Sequence, residues 1–153
     1  MMVSNDIWSL PPRIKILEAL GSIADKRITK INDGEYKVVS STGEREYTVR
    51  VDLKNLKIDS TDSGSVYKGY LGYPSIAVLM LEGVLPFSEK ISNALKGIKW
   101  KELNEKYKAY WKTEFVVKKI AQRKGVNEKE IDDFVDKVME KIKELKIRKL
   151  KSS

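Results

Sequence analysis

The sequence contains neither cysteine nor histidine. A chain without cysteine can form no disulfide and offers no thiolate nucleophile, and a chain that lacks both residues cannot form a zinc site of cysteine and histidine ligands. The absence of histidine also excludes the serine–histidine–aspartate triad. The remaining carboxylates, serines, lysines and tyrosines show no paired acid and base. We therefore predict a protein that is not an enzyme and holds no metal or cofactor.

Long apolar runs are also missing. No stretch approaches the ~20 apolar residues that a membrane-spanning helix needs, so we expect no membrane partner. The first ten residues contain Asp6 and no basic cluster, a pattern that is not typical of a signal peptide. A cytoplasmic protein is the resulting prediction.

The basic charge is concentrated in the second half of the chain. The net charge is +8, yet residues 1–95 hold 12 basic and 12 acidic side chains, while residues 96–153 hold 18 basic and 10 acidic ones. A basic region next to a neutral one favours a polyanionic partner, above all nucleic acid. A lysine-coated helix face that only contacts solvent would give the same counts, and this alternative stays open.

Residues 1–97 are predicted to form a small α+β domain. Apolar residues at helical spacing follow two prolines and indicate a helix over residues 13–25. Alternating apolar and polar residues then indicate strands, with turn residues between them. The strands form an antiparallel meander of three or four members: 28–31, 35–40, 46–53 and, as a short fourth, 56–58.

Residues 98–153 are predicted to form a helical, basic region that packs on this domain, after two short helices at 74–82 and 88–96. Residues 100–124 have the pattern of one long helix with a break near Thr113. Asn127 and Glu130 resemble a capping box at the start of the last helix. The tail, residues 146–153, is expected to be frayed. The predicted fold class is α+β: an N-terminal helix and a small antiparallel meander, then a helical C-terminal half.

The middle of the chain carries a strand-turn-strand pattern, then Asp62 in a polar loop, then an apolar helix with Ala77-Val78-Leu79. In this pattern residues 27–82 resemble the SWIM domain, a small zinc module linked to DNA or protein binding. That family has a Cys-x-Cys pair before the loop and a Cys-x-His pair where the helix opens. The residues aligned with those four ligands cannot replace them: Ile58, Ser60, Gly72 and Pro74.

The resemblance therefore implies a degenerate module without zinc. Such a module would be held together by hydrophobic packing, because a zinc site needs several deprotonated cysteine or histidine ligands. An unrelated α+β domain with a small sheet is the alternative interpretation of the same strands and helix.

Five basic residues, here called the basic series, recur along the predicted long helix at intervals of 7, 4, 7 and 4: Lys101, Lys108, Lys112, Lys119 and Arg123. At 3.6 residues per turn this spacing keeps them within roughly 40–60° of one another. Glu105 interrupts the stripe. Because the opposite side of the helix is apolar and suited to a core, we predict that the stripe contacts the phosphates of DNA or RNA.

Aromatic residues near the basic series leave two functions open. Tyr107, Tyr110 and Trp111 could stack on bases, although aromatic residues on an apolar helix face are more often part of a core. The loop at 59–73 adds three more tyrosines, Tyr67, Tyr70 and Tyr73. If these aromatic groups bind another protein or a second copy of the chain, the protein is an interaction or assembly subunit, which is the alternative function.

The segment 120–134 resembles a helix-turn-helix motif. Ala121 is followed four residues later by Gly125, and apolar residues recur at Ile131 and Phe134. The second helix of such a motif would present carboxylates that repel phosphate: Glu128, Glu130, Asp132, Asp133 and Asp136. A plain helical hairpin is therefore the favoured interpretation.

Overall fold

The computed structural model describes residues 6–151. Residues 1–5, which belong to the predicted start without a signal peptide, and residues 152–153, which belong to the predicted tail, lie outside the described range. The helices are α1 (Ile14–Ala24), α2 (Tyr73–Leu81), α3 (Glu89–Ala94), α4 (Trp100–Tyr107), α5 (Tyr110–Arg123) and α6 (Glu128–Leu145). The strands are β1 (Ile28–Asn32), β2 (Glu35–Val39), β3 (Glu46–Asp52), β4 (Lys57–Ser60) and β5 (Arg148–Lys149). A π-helical turn, Gly64–Lys68, lies between β4 and α2. The fold is α+β, as predicted, and none of these helices within residues 6–151 has the length and apolar character to cross a bilayer.

The first four strands form the predicted antiparallel meander in chain order. Tyr36 and Val38 on β2 and Val49 and Val51 on β3 are buried, and the residues between them are more exposed. Successive side chains of a strand point to opposite faces, so this alternation turns one face of the sheet toward the core.

The end of the chain adds a fifth strand to the sheet. β5 pairs in parallel with β4, and Ile147 just before it is buried. Trp8 also fastens this edge, because its backbone N–H donates to the Ile147 carbonyl and its Nε1 donates to the Ile58 carbonyl, both at 2.9 Å. The prediction of a frayed tail is therefore wrong for residues 147–150, which are held by the buried Ile147 side chain, by pairing with β4 and by the hydrogen bond from Trp8.

Helix α1 lies at the centre of the molecule and contacts α2, α3, α5 and α6. Eight of its 11 residues are buried. A single hydrophobic core includes Val49 and Leu79 as well as Val117 and Val135, so the core continues past residue 97 into the helical region. The division of the chain at residue 97 stays a prediction.

The predicted long helix consists of two helices. α4 ends at Tyr107, Lys108 adopts a positive φ of 56°, and α5 begins at Tyr110. The prediction of a break near Thr113 is wrong, since Thr113 is buried inside α5. The predicted stripe assumed one continuous helix. Because the helix is interrupted at Lys108, the five members of the basic series do not form one stripe.

Helices α5 and α6 form a hairpin around Gly125, whose φ is +92°. The predicted cap is confirmed, because Asn127 Oδ1 accepts a hydrogen bond of 2.8 Å from the Glu130 backbone N–H. Arg13, just before α1, reaches the acidic side of α6 and lies 3.2 Å from Asp132 and 2.5 Å from Asp136. Part of the acidic surface of α6 is thus already paired with an arginine of the same chain.

Candidate functional site

The basic series is exposed at all five positions, in two groups. Lys112, Lys119 and Arg123 lie on α5, within about 40° of one another at 3.6 residues per turn. Lys101 on α4 and Lys108 at the break line a cleft beside the start of α5. The structure therefore places three members on a helix face and two at a cleft.

Two aromatic side chains share the exposed face of α5. Trp111 is 70% exposed and Phe115 is 54% exposed. The Lys112 ammonium lies 5.5 Å from the Trp111 ring centroid, and the Lys119 ammonium lies 5.1 Å from that of Phe115. We call this surface the α5 face and define it by five residues: Trp111, Lys112, Phe115, Lys119 and Arg123. Adjacent exposed aromatic rings are typical of binding surfaces.

The other two predicted stacking residues lie away from the α5 face. Tyr110 begins α5, is 46% exposed and lines the cleft, where the Lys15 ammonium lies 5.2 Å from its ring centroid. Tyr107 is partly buried at the end of α4. Phe115 was not predicted as a site residue, although it is one helical turn from Trp111.

The cations of the α5 face differ from Lys118 on the same helix. Lys118 Nζ lies 3.0 Å from Glu114 Oε2 and 2.5 Å from Asp132 Oδ1, and its side chain is mostly buried. Burial alone would lower the pKa of Lys118, but these two carboxylates raise it. Lys112, Lys119 and Arg123 form no ion pair with any other residue in the described range, which leaves their charges available to a ligand.

The cleft has a volume of about 750 Å³, within the ~300–1,000 Å³ that is usual for small-molecule sites. The lining comes from α1 and Arg27 just after it, from residues 40–47 at the turn between β2 and β3, from residues 62–73 around the π-helical turn, and from the segment 100–110. Because these parts are far apart in sequence, only the folded chain brings their side chains together.

A buried ion pair lies on the α1 side of the cleft. Lys15 Nζ is 3.3 Å from Glu18 Oε1, and the two side chains are 15% and 6% exposed. Asn104 of α4 donates from Nδ2 to Glu18 Oε2 at 3.3 Å. Burial alone would lower the pKa of Lys15, but the Glu18 carboxylate outweighs it and raises the pKa above its ordinary value. The lysine is therefore charged at neutral pH.

Tyrosines of β3, of the start of α2 and of the loop before it line another side of the cleft, together with Arg27 between α1 and β1. Arg27 Nη1 donates to Tyr73 Oη at 3.2 Å and to the Val39 carbonyl at 2.7 Å. The Tyr47 ring meets the Tyr73 ring edge-on, with centroids 6.4 Å apart. Burial raises the pKa of Tyr73 to about 12, although the adjacent Arg27 opposes this. Burial likewise raises the pKa of Tyr70 to about 12. Both hydroxyls are neutral hydrogen-bonding groups near pH 7.

Among the exposed charged side chains that line the cleft, the cations outnumber the carboxylates. Four of them are basic: Arg45, Lys68, Lys101 and Lys108. Two are acidic, Glu44 and Glu105, and Lys101 Nζ lies 3.5 Å from Glu44 Oε1. The cleft thus has a polar, partly buried interior and a net positive outer side.

A family model described as "Uncharacterised conserved protein UCP014422" matches residues 8–148. The chain belongs to this family. The matched range includes every residue of the α5 face and of the cleft lining. No curated protein and no solved structure was found to match the chain.

The four positions aligned with the zinc ligands of the SWIM domain lie in packed, hydrogen-bonded structure. Ile58 is buried on β4, and Ser60 Oγ donates to Asp62 Oδ1 at 2.5 Å. A Cβ on Gly72 would overlap the Asp62 carboxylate, and Pro74 lies in the first turn of α2. Over residues 6–151, no group of three or more carboxylate, histidine or cysteine side chains is arranged to hold a metal ion. The SWIM resemblance and the metal-free state stay predictions.

The cleft residues on α1 were missed from the sequence, although a signal was present. Lys15 and Glu18 are the only charged residues of a helix that is otherwise apolar on nearly every side. A helix that is hydrophobic all round is buried, so its charges are buried too and need partners. Arg27 and Asn104 carried no comparable signal, since an arginine after a helix and an asparagine inside one are common.

Proposed function

We propose that the protein binds single-stranded nucleic acid through the α5 face and catalyses no reaction there. The observation that carries this proposal is the combination of two exposed aromatic rings with three exposed cations that have no carboxylate partner among the described residues. Aromatic rings stack on unpaired bases of any sequence, and lysine and arginine bind the phosphates between them. In a duplex the base faces are already stacked, so the rings favour an unpaired strand.

The acidic helix α6 argues against a helix-turn-helix mode of binding. Its first turn contains Glu128 and Glu130, which would face phosphate in a major groove. Asp132 and Asp136 are held by Arg13 and serve the internal structure. The hairpin of α5 and α6 therefore supports binding through α5 alone. A cytoplasmic location fits this function and stays a prediction.

The charges of the α5 face are tested by a variant that replaces Lys112, Lys119 and Arg123 with glutamate. We expect its affinity for a short fluorescent single strand to fall at least tenfold at low salt, measured by anisotropy. The loss of three phosphate contacts should also reduce the slope of log affinity against log salt by about 2. The matched control makes the same charge change at exposed lysines elsewhere, Lys54, Lys137 and Lys143, and should bind within about twofold of the wild type.

Equal losses in the variant and the control would mean that only the overall charge matters, and the α5 face would not be the binding surface. Failure of the wild-type protein to bind DNA or RNA, single-stranded or duplex, even at low salt, would end the proposal. Tighter binding to a duplex than to a single strand of the same length would contradict the role of the rings.

A second candidate function is protein–protein association, and the exposure of Trp111 and Phe115 favours it. Adjacent aromatic side chains on a helix can enter an apolar groove of a partner. If this is their function, a second copy is the simplest partner. The mass from light scattering should then rise with concentration and return to 17.5 kDa when both residues are changed to alanine.

A further inference from the structure

We propose that the cleft binds one nucleotide, with its base toward the buried ion pair and its phosphate among the exposed cations. The nucleotide is either free or one unpaired member of a strand. Only the second form rests on the function proposed for the α5 face, because a free nucleotide needs the cleft alone.

Aromatic side chains of the lining suit a planar ring. Tyr47, Tyr73, Tyr110 and Trp100 all line the cleft. The guanidinium of Arg27 lies 5.7 Å from the Tyr73 ring centroid, and Tyr47 packs edge-on against that ring, so Tyr73 is held in place from two sides. Fixed rings offer stacking surface at low entropic cost, and base–aromatic stacking contributes about 1–3 kcal/mol per base.

Buried polar groups of the lining suit the edge of a base. Five buried side-chain atoms in the described range have no hydrogen-bond partner, and three of them belong to residues that line the cleft: Arg27 Nε, Trp100 Nε1 and Asn104 Oδ1. Such atoms are rare in folded proteins, where nearly all buried polar groups are hydrogen-bonded. Arg27 Nε also lies 3.8 Å from Asp25 Oδ2, and Trp100 Nε1 lies beside Gly21 of α1. The group that remains for a base edge is therefore the Asn104 amide, which holds Glu18 through its Nδ2 and leaves its Oδ1 as an acceptor.

The distribution of charge fixes the orientation of the nucleotide. Glu18 and Asp62 are buried carboxylates of the lining, and Lys15 and Arg27 offset their charges, so the inner part of the cleft has no net positive charge to hold a phosphate. On the exposed side four cations face two carboxylates, and one of those carboxylates, Glu44, is already paired with Lys101. The phosphate therefore lies outside, near Arg45 and Lys68, and the uncharged base lies inside.

The test uses the full chain and two probes, deoxyadenosine monophosphate and a short oligodeoxyadenylate strand. Binding is followed by the amide resonances of cleft residues in isotope-labelled protein. An abasic strand of equal length and inorganic phosphate serve as controls without a base. The variant is Arg45→Glu with Lys68→Glu, which leaves the α5 face intact, and its matched control is Lys54→Glu with Lys137→Glu.

We expect the mononucleotide, or the intact strand, to shift the resonances of Tyr47 and Tyr73. The cleft variant should bind that probe with an affinity at least tenfold lower than the wild type, and the affinity of the control variant should stay unchanged. If the mononucleotide binds and the strand does not bind anywhere on the protein, the result would support the cleft site and overturn the function proposed for the α5 face. Binding of the intact strand, but not of the abasic strand, at the cleft would identify the nucleotide as part of a strand.

Two results would overturn the nucleotide site. One is a strand that binds the α5 face without moving any cleft resonance, while the mononucleotide does not bind; the function of the α5 face would then still stand. The other is inorganic phosphate that shifts the cleft resonances as strongly as the mononucleotide, which would indicate a site for phosphate without a base.

Discussion

The cleft and the α5 face both place cations next to aromatic rings, but the cations are buried and paired in the cleft and exposed on the α5 face. In the cleft, Lys15 is mostly buried and paired with Glu18, and Arg27 donates to a tyrosine and to the backbone. On the α5 face, Lys112 and Lys119 are exposed, lie next to aromatic rings and form no ion pair among residues 6–151. The buried charges are fixed by the fold and each depends on its partner, whereas the exposed ones contribute little to stability and remain free to bind.

The largest difference between the two regions should appear when the buried lysine loses its charge. The substitution Lys15→Met keeps the length and apolar stem of the side chain but leaves the buried Glu18 without its cation. Removal of one partner of a buried pair costs about 3–5 kcal/mol, because the remaining charge is buried and uncompensated. We expect a loss of about 3 kcal/mol in the free energy of unfolding, measured with denaturant at pH 7.

The double variant Lys15→Met with Glu18→Met checks the cause of that loss. Replacement of both charges by apolar groups should recover about half of the stability or more, since a buried pair often contributes no more than an apolar pair. A Lys15→Met variant as stable as the wild type would show that the pair is solvated, and the contrast between the regions would disappear.

A smaller loss of stability is expected at high pH, again because of buried titratable groups of the cleft. Tyrosines of the unfolded chain lose their protons near pH 10, whereas burial raises the pKa of Tyr70 and Tyr73 to about 12. Between these values the folded state binds more protons than the unfolded state, so stability decreases as the pH rises from about 10 to 12. The raised pKa of Lys15 acts in the same direction.

For Tyr73 the loss should be on the order of 2 kcal/mol. Unfolding curves across this pH range give the slope, and tyrosinate absorbance gives the pKa values. The variant Tyr73→Phe should show a flatter decrease. An identical slope in the variant and the wild type would mean that Tyr73 titrates like an exposed tyrosine.

The two regions also differ in how much of them the sequence predicted. The members of the basic series on α5 were found because they recur at helical spacing on one helix. The cleft was missed because its rings and charges come from several helices, the sheet and the loops between them, and no local pattern connects Lys15 with Tyr73 or Asn104. The cap at Asn127 was predicted correctly because it depends only on two residues that are three positions apart.

The errors in the predicted fold have similar causes. The break at Lys108 has no glycine or proline to mark it, and a lysine with positive φ is uncommon. The arrangement of residues 147–150 depends on one apolar residue among basic ones, Ile147, and on an edge of β4 and a contact with Trp8 that only the folded protein provides. In both places tertiary contacts override a weak local preference.

The smallest expected effect comes from the same substitution on the α5 face. Lys119→Met removes an exposed charge that lies 5.1 Å from the Phe115 ring centroid and forms no ion pair among residues 6–151, and an exposed cation–π contact contributes about 0.5–1 kcal/mol. We therefore expect the free energy of unfolding to change by about 0.5 kcal/mol or less, against about 3 kcal/mol for Lys15→Met. Binding should respond instead: the loss of one phosphate contact lowers the salt slope for a single strand by about 0.7. A variant that is strongly destabilised, or that binds with an unchanged salt slope, would mean that Lys119 belongs to the structural charges and that the α5 face does not contact phosphate at this residue.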